Sequence, residues 1–288
     1  MTSVADWVAG ARPRTLPAAV APVLVGTGAA AGVDAFDAGP ALLALVVSLA
    51  LQIGVNYAND YSDGVRGADA DRVGPTRLVG AGLATGTAVR TAALGCFAVA
   101  SAAGLVLAAL TTWWLLVVGV AAIAAAWFYT GGSRPYGYRA LGEVSVFVFF
   151  GIVAVIGTSY VQAERILPQA VVASVSIGLL ACALLVVNNL RDIEGDARVG
   201  KRTLAVLLGD RRTRWLFAGL IVLSFVVVVA LALYHPFAAL GLAAAIVALP
   251  PVGAVLGGAQ GLALLPALRD TGLTQLLSGV LLAIGLAI

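Results

Sequence analysis

The chain has 288 residues, of which 61% are hydrophobic and only 11% charged, with a formal net charge of +3. Soluble domains carry about 25% charged residues, and a mean hydropathy of +1.03 excludes that class. The arginines are scattered over several inter-helix segments, so no nucleic-acid patch is present.

Before the first apolar run, Met1 to Arg14 carries Asp6, Arg12 and Arg14. It lacks the short basic start and small-residue cleavage site of a secretory signal, so the first span is expected to be retained. Apolar runs of about 20 residues then recur along the whole length, each able to cross a bilayer. The reading is about nine transmembrane helices in one domain covering residues 1–288. Their expected limits are 15–33, 40–58, 88–110, 113–130, 141–162, 168–189, 214–234, 236–256 and 272–288. Continuous runs rather than polar–apolar alternation favour helices over barrel strands. Cys96 and Cys182 sit inside these runs, with neither metal-ligand nor disulfide spacing.

With the N-terminus in the cytoplasm, every basic residue except Arg165 falls on the inner side, as the positive-inside rule requires. The two long segments between spans, roughly 59–87 and 190–213, are then both cytoplasmic loops over one face. They follow the second and sixth spans, which suggests duplication of a four-helix unit.

Both segments begin with an acidic cluster. One is Asn59-Asp60-Tyr61-Ser62-Asp63, followed by Asp69, Asp71 and Arg72; the other runs from Asn188 and Asn189 through Arg191 and Asp192 to Asp196, Lys201 and Arg202. Asn188, Asp192 and Asp196 are spaced by four, as are Asn59 and Asp63, and Asn56 and Asp60. On a helix such residues stack along one face. Rows of carboxylate and amide oxygen suit Mg2+, which commonly binds one or two carboxylates plus substrate phosphates. Two facing rows would hold two ions with a diphosphate between them. Arg72, Arg77, Arg191, Arg198, Lys201 and Arg202 stand near these carboxylates, as phosphate ligands or as anchors to lipid head groups and partners of the aspartates, and Lys201 is the only lysine in the chain.

A third element, Tyr129-Thr130-Gly131-Gly132-Ser133-Arg134-Pro135-Tyr136-Gly137-Tyr138, closes the fourth span. It reads as an interfacial aromatic belt and turn, or as an aromatic wall beside a positive charge at Arg134. The fourth, Arg12-Pro13-Arg14-Thr15, enters the first span and reads as an anchor or as a carboxylate or phosphate clamp. Glu143, which opens the fifth span, is expected to pair with an arginine.

These residues resemble the UbiA superfamily of intramembrane prenyltransferases over nearly the whole chain. The family's second motif, Asp-x-x-x-Asp, is matched by Asp192 and Asp196. Its first, Asn-x-x-x-Asp-x-x-x-Asp, is matched by Asn59 and Asp63; the third place falls on Gly67, where Asp69 or Asp71 is expected to stand in. Ala11 to Pro17, Asn56 to Tyr61, Tyr129 to Gly132, Gly142-Glu143, and Asn188 to Asp192 running to Val206 resemble one branch, the 1,4-dihydroxy-2-naphthoate polyprenyltransferases of menaquinone synthesis.

The resemblance implies a polyprenyl diphosphate donor and a naphthoate acceptor, a UbiA-type bundle with two cytoplasmic cap loops in the cell membrane, and Mg2+ held by Asn59, Asp63, Asp69, Asn188, Asp192 and Asp196. Asp60, Asp63, Asp192, Asp196, Tyr129 and Lys201 are the expected catalytic residues. Arg72, Arg77, Arg134, Arg191, Lys201 and Arg202 are expected on diphosphate, and Arg12, Arg14, Asn56 and Tyr138 on the acceptor. Two other readings share some features: a UbiA-type enzyme with another acceptor (4-hydroxybenzoate, haem or a sugar phosphate), and a secondary transporter. A transporter site lies near the bilayer midplane, whereas these carboxylates gather at one face.

Overall fold

A computed structural model describes residues 2–67 and 77–288. Every regular element is helical. A short leading helix, α1 (Val4–Ala11), is followed by α2 (Pro17–Ala31), α3 (Ala38–Val65), α4 (Gly86–Leu110) and α5 (Trp114–Phe128). Then come α6 (Gly142–Ala163), α7 (Pro168–Arg198), α8 (Leu204–Ala232), α9 (Pro236–Leu256) and α10 (Gly261–Ala287). Among the described residues seven of these, α3, α4 and α6 to α10, are long and apolar enough to cross a membrane. The two shorter apolar helices, α2 and α5, occupy the first and fourth of the expected spans.

Local sequence explains where the helices start. Ser3 and Asp6 form a reciprocal capping box on α1. Asp37, Thr85 and Thr203 cap α3, α4 and α8 through their side-chain oxygens. Proline opens α2, α7 and α9, where its missing N–H costs nothing.

Four boundaries differ from the sequence reading by several residues, and those of α3, α7 and α8 move the site. Helix α3 does not stop at 58 but continues through Asp63 to Val65, and α7 does not stop at 189 but continues to Arg198. Residues 190–213 are therefore not a long loop: α8 already begins at Leu204, leaving only 199–203 as a connector. Polar residues at helical spacing extend each helix past its apolar stretch, and hydropathy alone cannot see that extension. At 31 residues α7 measures about 46 Å, longer than the roughly 30 Å hydrocarbon layer, so part of it extends beyond a layer of that thickness. The last span likewise begins at Gly261 rather than 272.

Helix α7 is the most buried span and forms the centre of the bundle. The two most extensive packing pairs are α3 with α4 and α7 with α8, the same place in each half of the chain. Close helix approach rests on glycine. A Cβ at Gly28 would fall 2.5 Å from the Ala283 Cα, joining α2 to α10, and one at Gly151 would fall 2.6 Å from the Gly178 Cα, joining α6 to α7. Within α6, residues Phe147–Val153 adopt π-helical geometry, a form common at functional sites.

Candidate functional site

The ends of α3 and α7 bring the two acidic clusters to one end of the bundle, beside the mouth of a cavity of ≈ 540 Å³. The cavity body runs between α3, α4, α5 and α6 and is apolar, with Leu51, Leu105, Ile123, Phe149 and Val153 on its wall. The π segment of α6 places Phe149, Phe150 and Val153 there. Its polar end is lined by Arg12, Asn59, Asp63, Arg77, Asn188 and Lys201, together with Tyr129 and Tyr136.

Asp63 is the hub. It is 2% exposed and accepts a hydrogen bond from the Tyr138 hydroxyl at 2.8 Å. Arg77 lies 3.8 Å from its Oδ2 and Lys201 4.0 Å from the same oxygen. Lys201 also reaches Asp196 Oδ1 at 3.5 Å, so one ammonium joins the two clusters. A local motif puts it there. Gly200 takes a left-handed φ of 73°, the Lys201 amide donates to the Asp196 carbonyl at 2.9 Å, and the Gly200 amide donates to Ala197 at 3.2 Å. This is a Schellman helix end, which folds the chain back over its last turn.

On α7 the predicted row of Asn188, Asp192 and Asp196 exists, but Arg191 fills part of it. Its guanidinium donates twice to Asp192, at 2.8 and 2.7 Å, and once to Asn188 at 3.0 Å. On α3, Asn59 Oδ1 accepts from the Thr130 hydroxyl at 2.7 Å. Arg66 donates to the Thr130 and Gly132 carbonyls. The loop after α5 is thereby tied to α3. It is also tied to the α7–α8 connector, because the Arg202 amide donates to the Tyr138 carbonyl at 3.1 Å. Lys201 and Arg66 stand 5.3 and 5.6 Å from the Tyr138 ring centre, within cation–π range. Burial, then the Asp63 charge, pushes the Tyr138 phenol well above its usual range, so it stays a neutral donor. Tyr129 and Tyr136 meet edge to face with ring centres 5.5 Å apart. Burial raises both of their phenol pKa values as well.

Several expected residues sit elsewhere. Asp60 does not line the cavity; its carboxylate accepts from the backbone amides of Leu78 and Val79 at 2.8 and 3.0 Å and so anchors the returning segment. Arg14, Arg134 and Arg202 are exposed side chains outside the cavity wall. Of the pair at the entry to α2, it is Arg12 that lines the cavity. Tyr138, expected at the acceptor, is bonded at the Asp63 end instead. Glu143 accepts from Asn189 at 3.2 Å rather than pairing with an arginine among the described residues. Asp69, Asp71 and Arg72 lie outside the described residues.

Sequence reasoning named Thr15 and Thr130 only as members of larger motifs and gave Arg66 and Gln52 no role in the site, although Gln52 stands out as a lone amide within an apolar run.

The donor set suits a hard cation. Asn59, Asp63, Asn188, Asp192 and Asp196 offer only oxygen, and among the described residues no three acidic, histidine or cysteine side chains converge into an all-protein cage. Mg2+ is usually held in this way, by one or two carboxylates with phosphate oxygens completing the shell. The carboxylates are meanwhile balanced by Arg77, Arg191 and Lys201.

The family model described as the UbiA prenyltransferase family matches residues 19–286. A Mycobacterium tuberculosis protein named 1,4-dihydroxy-2-naphthoate octaprenyltransferase is 56% identical over 287 residues, covering 100% of this chain and 98% of its own. A Mycobacterium leprae protein of the same name is 52% identical over 283 residues, covering 98% and 96%. Among solved structures, a UbiA homolog from Archaeoglobus fulgidus bound to DMAPP and Mg2+ superposes with a TM-score of 0.67 at 15% identity, over 96% of this chain and 99% of that one.

Proposed function

The chain belongs to the UbiA prenyltransferase family, and from that premise we propose that it transfers a polyprenyl group from polyprenyl diphosphate to 1,4-dihydroxy-2-naphthoate. Diphosphate and CO2 leave, and demethylmenaquinol, a menaquinone precursor, is formed. The observation that carries this reading is the junction of an apolar cavity with a polar end where Lys201 joins Asp63 to Asp196. A long isoprenoid fits the apolar body and a diphosphate fits the charged end. The relatives' names support the naphthoate as acceptor.

Asn59, Asp63, Asn188, Asp192 and Asp196 would hold Mg2+, two ions in all, with Asp69 or Asp71 completing the first motif. When bound, the metal would supply electrostatic stabilisation of the departing diphosphate. Lys201 and Arg77 bind the phosphate oxygens, and Arg191 balances the charge of Asp192 beside them. Tyr138 keeps Asp63 oriented by donating its proton to it. Tyr129 and Tyr136 place electron-rich rings beside the allylic carbon, where positive charge develops. Thr130 and Arg66 hold the loop after α5 against α3 and exclude water, which would otherwise capture the cation as an alcohol. Arg12 receives the acceptor.

The chain spans the cell membrane nine times as a single domain, with its N-terminus and active site on the cytoplasmic side. The decisive assay incubates the purified protein with a labelled polyprenyl diphosphate and 1,4-dihydroxy-2-naphthoate, with and without a chelator, and repeats it with 4-hydroxybenzoate. Chelator-sensitive prenylation of the naphthoate alone is expected. Prenylation of 4-hydroxybenzoate in its place would overturn the acceptor assignment.

A further inference from the structure

Between α3 and the turn from α1 to α2 lies a buried polar cluster that binding of metal and diphosphate does not require. Gln52 and Asn56 sit one turn apart on the same face of α3 and are 6% and 4% exposed. Gln52 Nε2 donates to Thr15 Oγ1 at 2.9 Å, and Asn56 Nδ2 donates to the same oxygen at 3.1 Å. Asn56 Nδ2 also donates to the Ala11 carbonyl at 2.9 Å. The Thr15 hydroxyl in turn donates to the Arg12 carbonyl at 3.0 Å. A hydroxyl has one proton and two lone pairs, and here all three are used.

The residue so gripped is unusual. Arg12 has φ 55° and ψ 69°, a left-handed backbone that a non-glycine side chain keeps only where its surroundings enforce it. Its side chain lines the cavity, and its Nη2 is buried without a hydrogen-bond partner among the described residues. A buried guanidinium nitrogen facing a cavity calls for an anion. The phosphate end of the cavity is already furnished with Lys201 and Arg77 around Asp63. Asn56 lies seven residues before Asp63 on α3, about 10 Å of helix rise toward the apolar body. The planar fork of an arginine matches a carboxylate.

We propose that Gln52, Thr15 and Asn56 form a polar latch that aims Arg12 at the carboxylate of the aromatic acceptor. The three are positioning residues, and this inference rests on the functional reading above. It assigns the Arg12 side of the cavity's polar end to the acceptor and the Lys201 and Arg77 side to the diphosphate.

The test compares Thr15→Val, which keeps the shape and deletes the hydroxyl, with Thr15→Ser, which keeps the hydroxyl. Three quantities are read: KM for the naphthoate, KM for polyprenyl diphosphate, and the ratio of inhibition constants for 1-hydroxy-2-naphthoate and 1-naphthol. Thr15→Val should raise the acceptor KM about tenfold and leave the diphosphate KM unchanged. It should weaken the carboxylated inhibitor but not 1-naphthol, and Thr15→Ser should restore binding. Unaltered diphosphate KM certifies that the variant folds, and Gln52→Met, which removes one donor to Thr15, serves if Thr15→Val cannot be purified. An increase in diphosphate KM, an equal loss for both inhibitors, or no change at all overturns the latch. Failure of the unaltered protein to prenylate the naphthoate overturns the functional reading instead, and the ratio of the two compounds' dissociation constants, read by direct binding, still decides whether Arg12 receives a carboxylate.

Discussion

Asp63 on α3 and Asp196 on α7 share a single ammonium group: Lys201 Nζ lies 4.0 Å from one and 3.5 Å from the other. The two halves of the chain meet in that contact.

Replacing that shared cation should be costly. Lys201→Met leaves two carboxylates facing each other without their common partner and removes the cation proposed to bind phosphate. A fall in kcat of about 10²-fold or more is expected, by analogy with loss of one transition-state contact. Lys201→Arg keeps the charge and should retain part of the rate. Single-turnover kinetics with saturating substrates measure this, and an unchanged rate would remove Lys201 from the site.

The helix end that delivers Lys201 is equally testable. At Gly200 the φ of 73° favours glycine, and a β-carbon there costs about 1–2 kcal/mol. Gly200→Val should lower both thermal stability and kcat, whereas Gly200→Asn, which tolerates this backbone, should lose less of each. Equal behaviour of the two variants would contradict the role assigned to this turn.

Asp60 and Asp63 are three residues apart and should fail differently. Asp60→Leu orphans the buried Leu78 amide and the part-buried Val79 amide, at about 1–3 kcal/mol for a fully buried unsatisfied donor. The expected result is a lower melting temperature in detergent. Asp63→Asn should fold normally and lose Mg2+-dependent turnover. An Asp60→Leu protein that melts like the unaltered one yet is inactive would return Asp60 to the catalytic group.

Tyr138→Phe removes the donor to Asp63. Because burial and the Asp63 charge raise the Tyr138 pKa above its usual value of about 10, the hydroxyl stays protonated from about pH 6 to 9. The deficit in kcat should therefore be constant over that range. A deficit that appears only as the pH falls or rises through it would mean that another group titrates in the contact.

Among the arginines, location decides. Arg14, Arg134 and Arg202 are exposed and stand outside the cavity wall, whereas Arg77 is 7% exposed and faces Asp63. Alanine at each of the first three should change kcat/KM little, and Arg77→Ala should raise the KM for polyprenyl diphosphate. A strong loss at Arg134 or Arg202 would place the diphosphate nearer the loops than the cavity mouth.

Much of the architecture was readable in the residues. Long apolar runs marked the spans, and the i, i+4 spacing of Asn188, Asp192 and Asp196 anticipated a helical row before any helix was assigned there. The loop proposed over 190–213 failed because a helix rich in polar residues has no hydropathy signature, although its caps, Gly200 and Thr203, are present in the sequence. Asp60 could not be told from Asp63 by composition. Rotation about α3 alone turns one toward the Leu78 amide and the other toward Lys201.

The sequence by itself determined a membrane-embedded helical chain with two oxygen-rich helix ends and a small set of cations near them, because periodicity, capping and hydropathy are properties of neighbouring residues. Only the tertiary structure decided that Arg12 and not Arg14 enters the cavity, that Asp60 holds the Leu78 amide, and that Lys201 joins α3 to α7. Those choices depend on which face each helix presents and on contacts between segments far apart in the chain, and no local pattern encodes either.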